Sequence, residues 1–160
     1  MLDGRMKIRT VGLILALCFF AGAACFAADD PNMGTWKLNE TKTKTAPGMD
    51  KLTTVVYETS GDQVKVTIDG TDASGKPIHN EWMGKFDGKD YAVTGDPTSD
   101  MRSYKKTDAQ TLKFTVKKDG KTTATGHIVV AADGKSRTVT AKGTDEHGKT
   151  FKNTSVYDKQ

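Results

Sequence analysis

From residue 52 onward, apolar and polar residues alternate in short runs separated by glycine-containing breaks. QVKVTID (63–69) sets Val64, Val66 and Ile68 against Lys65, Thr67 and Asp69. QTLKFTVKK (110–118) sets Leu112, Phe114 and Val116 against Lys113, Thr115 and Lys117. A period of two places alternate side chains on opposite faces of a strand, one buried and one wet. The same reading gives strands over 34–39, 52–59, 77–86, 90–95, 101–106, 122–132, 136–144 and 150–158. No window keeps the 3.6-residue apolar period of a helix for three turns. The linkers are mostly Asp-Gly-Lys or Ser-Gly pieces, whose residues tolerate the positive φ that hairpin turns require. Most are too short for a parallel crossover, so neighbouring strands pair antiparallel. The pattern predicts an all-β, up-and-down meander of about 8–10 strands. Closing it into a barrel removes the two edges that an open sheet would expose.

One pattern occurs twice. V-T-x-x-G-T-D-x-x-G-K-x-x-x-N spans 66–80 and again 139–153. The expected role is architectural: V-T ends a strand, G-T-D-x-x-G-K crosses a turn, and Asn80 or Asn153 lies in the next strand. Asp72 and Asp145 bond turn amides, and Gly75 and Gly148 supply positive φ. Each loop holds too few carboxylates for a calcium site.

The first 30 residues break the pattern. Arg5, Lys7 and Arg9 precede an apolar run over 11–24, and small residues lead to Asp29 and Asp30. This is the layout of a secretory signal peptide, over 1–27, with cleavage after Ala27; the run is too short to span a bilayer. A lipoprotein with its lipid on Cys25 would need an aliphatic residue in the preceding box, where Gly22, Ala23 and Ala24 stand. Residues 28–160 are then one domain, periplasmic or extracellular and monomeric, with no membrane span. Both cysteines, Cys18 and Cys25, fall in the leader, so the domain has neither a disulfide nor a thiolate metal site. It holds 21 basic and 19 acidic residues, interspersed, which gives no footprint for nucleic acid.

The chemistry-bearing residues are few. After the leader the chain has 19 lysines and two arginines, Arg102 and Arg137, both on the apolar faces of their strands. A guanidinium binds a carboxylate through two parallel hydrogen bonds, which an ammonium cannot do. Two readings of these arginines stay open: anchors for an anionic group inside the barrel, or strand-end ion pairs with a nearby Asp. Inward aromatic faces would also carry Asn80, Asn153 and Ser155 inward. A hollow barrel accepts such residues more readily than a packed core, unless they meet solvent at its mouth. Nucleophile-elbow, P-loop, dinucleotide and H-E-x-x-H motifs are absent. His79, Glu81 and His127 make a formal zinc set, but the histidines lie 48 positions apart and His79 faces outward, so they read as surface residues.

GTWKLN (34–39) resembles the G-x-W opening of lipocalins, and the closing VYDK (156–159) resembles the end of the ten-stranded fatty-acid-binding barrels. The R-x-Y of that family's last strand is replaced here by Ser155-Val156-Tyr157, so its carboxylate site does not carry over. GTWKLN, DGKDYAVTG (87–95) and VYDKQ (156–160) together resemble uncharacterised lipocalin-like small secreted bacterial proteins. This resemblance implies a calycin-type barrel and export, and no activity. The resulting expectation is a non-enzymatic binding protein without metal or cofactor. It takes a small hydrophobic or amphipathic ligand, lined by Arg102, Tyr104, Trp82, Tyr91, Phe114, Arg137 and Asn80. The alternative is a structural or interaction protein of the cell envelope whose barrel is filled by its own side chains.

Overall fold

The computed structural model describes residues 30–145 and 147–160. The leader expected over 1–27, with its cleavage point and Cys25, lies outside them. Ten strands follow one another: β1 (Gly34–Leu38), β2 (Lys51–Ser60), β3 (Gln63–Thr71), β4 (Pro77–Gly84), β5 (Tyr91–Thr94), β6 (Met101–Lys106), β7 (Thr111–Lys118), β8 (Lys121–Val130), β9 (Ser136–Thr144) and β10 (Thr150–Lys159). Each pairs antiparallel with the next, and β1 also pairs with β10, which closes the sheet into a ten-stranded barrel. The alternation in the sequence becomes inside and outside. Val66 and Ile68 are buried in the interior, while Lys65 and Thr67 lie on the opposite face of β3.

The two ends of the barrel differ. One carries the turns β2–β3, β4–β5, β6–β7 and β8–β9. It is plugged by Trp36, Val66, Trp82, Leu112 and Val130, each less than 2% exposed. The Trp36 and Trp82 indoles donate to the carbonyls of Asn32 (2.9 Å) and Arg102 (2.8 Å), so neither buried indole N–H is left unpaired. Trp82 also stacks on Phe86 and meets Tyr91 and Tyr104 edge-on. Gly84 makes room for this packing, since a Cβ there would lie 2.5 Å from the Tyr91 ring.

The opposite end, the mouth, carries both copies of the repeated turn. In the first, the Asp72 carboxylate accepts from the amides of Ser74 (2.8 Å) and Lys76 (2.9 Å). In the second, Asp145 accepts from His147 (3.0 Å) and Lys149 (2.8 Å). Gly75 and Gly148 take φ of +85° and +77°. The expected boundary needs one correction. β3 and β9 run on through Gly70-Thr71 and Gly143-Thr144, so the turn proper is only D-x-x-G. The first glycine of each copy has its own purpose: the backbone oxygens of Lys51 and Thr123 would lie 2.2 and 2.1 Å from a Cβ at Gly70 and Gly143. These positions predict unequal effects. Gly75→Ala, in open space, should lower stability by about 1 kcal/mol through backbone strain alone. Gly70→Ala should cost clearly more, because a neighbouring strand must shift. Urea unfolding of the two variants checks the order.

Candidate functional site

Between the plug and the mouth the barrel encloses a hollow of about 800 Å³. It exists because ten strands make a wider barrel than the eight whose interior side chains can just fill. Several inward residues there are also small: Ala124, Ala141 and Ser155 line it. The upper wall is largely apolar, with Leu38, Leu52, Ile78, Val116, Val139 and Phe151. The rim is formed by the loops around Met49, Asp72–Ser74 and Asp96–Thr98.

Five of the seven expected site residues line this hollow: Arg102, Tyr104, Phe114, Arg137 and Asn80. Trp82 and Tyr91 do not. Trp82 is spent on the plug, and Tyr91 packs against its edge with its hydroxyl donating to Asp87 (3.0 Å). Alternation put both on the inward face correctly but could not say at what height along the axis they stand. His79 and Glu81 lie on the outer face. His79 pairs with Asp69 at 2.6 Å and Glu81 with Lys65 at 2.6 Å. His127 lies on β8, opposite Lys113 and Thr140, away from that cluster.

The two arginines have different surroundings. Arg102, buried on β6, donates from Nη1 to Asn80 Oδ1 (3.5 Å) and from Nη2 to Asp96 Oδ2 (3.4 Å), both long. This is the ion-pair reading of the sequence, with Asp96 as the partner that the sequence did not point out. Burial pushes the Asp96 carboxyl upward. Ser99, Thr98, the Thr98 amide and the Arg102 charge outweigh it and hold the group below its ordinary value. A carboxyl lowered on folding contributes stability that is complete above the unfolded value of 3.8 and is lost as the pH falls through the folded value. Acid unfolding of Asp96→Asn is therefore expected to be less steep below about pH 4 than that of the parent protein.

Arg137, on β9, is 2% exposed and sits at the floor of the hollow. Its guanidinium carbon lies 4.7 Å from the centre of the Trp36 ring, 4.8 Å from Tyr57 and 5.1 Å from Tyr157. Its Nε and Nη1 have no hydrogen-bond partner, and no ion pair among the described residues includes it. Burial raises the Tyr57 phenol, with Tyr104 adding to the effect and Arg137 opposing it. Burial likewise pushes Tyr157 up to about 12 against the pull of Arg137. Both phenols stay neutral, so neither offsets the charge on the arginine.

Sequence reasoning missed Tyr57, Tyr157 and Trp36 as the surroundings of Arg137. One signal was readable. In the β9–β10 hairpin, counting outward from the D-E-H-G turn brings Arg137 within one residue of Tyr157, which is its observed partner. Trp36 and Tyr57 come close only through barrel closure between β10, β1 and β2, which no local pattern encodes.

Neither a protein-family model nor a curated protein matches this chain. Among solved structures, a redesigned β-barrel, mFAP1, bound to DFHBI, is similar with a TM-score of 0.45 and 17% identity. The match covers 81% of this chain and 95% of that one.

Proposed function

We propose that this chain is a non-enzymatic binding protein that works after export, in the periplasm or outside the cell, and holds one small amphipathic ligand inside its barrel. The observation that carries the reading is the hollow of about 800 Å³ with a largely apolar upper wall, the Arg137 guanidinium at its floor and Arg102 on its wall. Ligand sites are concave, mostly apolar, and run from about 300 to 1,000 Å³, with a few polar groups to fix orientation. An envelope interaction protein with a self-filled barrel would call for side chains where this interior has space. Asn80 supports the same reading. A buried amide that meets only a long bond from Arg102 suits a wet or ligand-filled interior better than a dry core.

Native mass spectrometry of protein recovered from the cells that make it tests the reading. A species heavier than the polypeptide by one small molecule, and lost on organic extraction, is the expected result. A bare polypeptide that also takes up no amphiphile offered in excess would contradict it.

A further inference from the structure

Among the described residues lining the hollow, Arg137 is the only one with buried side-chain donors that lack a partner. A guanidinium in a protein stays protonated and offers donors only, so a buried one without an acceptor is costly. The three rings around it attract the cation through their faces. They do not accept the N–H bonds at its edge. The second arginine is already balanced, because Asp96 stands against Arg102. The inner end of the hollow therefore holds one positive charge in excess, beneath an apolar wall.

We infer that the ligand is a monoanionic amphiphile whose acid group, a carboxylate or sulfonate, docks on Arg137 at the floor while its apolar body extends toward the mouth. This rests on the binding reading above and goes beyond it in naming the charge, the anchor and the orientation. The fork of a carboxylate matches the planar guanidinium edge. From Arg137 to Thr144 at the rim, β9 rises roughly 23 Å along the strand, or roughly 18 Å along a barrel axis to which strands tilt by 35–45°. That depth suits a medium-length acyl chain or a small fused-ring acid. An alcohol or amide of the same body would leave the guanidinium unpaired.

The test uses N-phenyl-1-naphthylamine, a neutral dye that brightens in apolar surroundings, with decanoate and decanamide as competitors at pH 7. Decanoate is expected to displace the dye at a concentration at least about tenfold lower than decanamide, since a charge-assisted pair contributes 1.4 kcal/mol or more. Arg137→Met keeps an unbranched chain among the rings and should still bind the dye, but with the acid and the amide now nearly equal. In 1H–15N spectra of the unmodified protein, the Arg137 Nε–H signal should shift on adding decanoate and not on adding decanamide, which needs no variant to fold. Equal displacement by acid and amide, or an unmoved Nε–H signal with decanoate bound, would overturn the inference and leave the binding reading standing. A protein that takes up neither dye nor acid would overturn both.

Discussion

Replacing Trp36 with alanine is expected to lower the free energy of unfolding by about 3–5 kcal/mol, the range for removing a large, fully buried aromatic side chain. Three observations place it high in that range. The side chain is fully buried in the plug. Its N–H holds the Asn32 carbonyl at 2.9 Å and so fastens the incoming chain across the closed end. Its ring also faces the Arg137 guanidinium, with the Lys159 ammonium 5.2 Å from its centre. Alanine leaves a cavity and exposes a buried cation to it. Guanidinium chloride unfolding followed by circular dichroism measures the loss. A decrease below about 1 kcal/mol would mean that the closed end is far looser than described.

The second large effect falls on binding and spares stability. Ala141 lines the hollow on β9, between Val139 and Gly143. Ala141→Trp should put an indole into space that the fold does not use. Ligand uptake should then fall by more than about tenfold, since overpacking costs of 1–3 kcal/mol are met by excluding the ligand. The melting temperature should hold or rise, because an apolar void has been filled. In a barrel packed with its own side chains the same change would act in the opposite way, destabilising the protein and leaving binding untouched. Dye titration and thermal unfolding of the same preparation separate the two.

Much of this architecture was legible in the chain. Strict alternation in 63–69 and 110–118 gave β3 and β7 to within two residues, because one wet face and one dry face leave no other period. The Asp-Gly pair between β7 and β8 gave a two-residue hairpin, and Asp119 and Gly120 take φ of 49° and 73° there. The repeated D-x-x-G turns told of copied hairpins, and the same side-chain bonds recur in both.

The site was legible only in part. The rarity of arginine pointed to Arg102 and Arg137, and both line the hollow. What separated them was invisible: Asp96 reaches Arg102 from the β5–β6 loop, and the rings about Arg137 come from β1, β2 and β10. Height along the axis was also unreadable. Trp82 and Phe114 both point inward, yet one is spent in the plug and the other borders the hollow. Alternation fixes a face, whereas closure and stagger around ten strands fix the level.

The central claim is an interior open to small molecules from the mouth, and it can be tested without knowing the ligand. With Cys18 and Cys25 changed to serine, a single cysteine is placed by Ala141→Cys, and a control cysteine on the outer face of β9 by Lys142→Cys. Each folded variant is treated with a small, thiol-reactive, polarity-sensitive dye. The hollow barrel predicts that both cysteines label in the native state, the inner one with emission shifted to the blue and quenched or displaced when an amphiphile enters. An Ala141→Cys thiol that reacts only after unfolding, beside a control that labels readily, would contradict the hollow and every binding residue assigned to it.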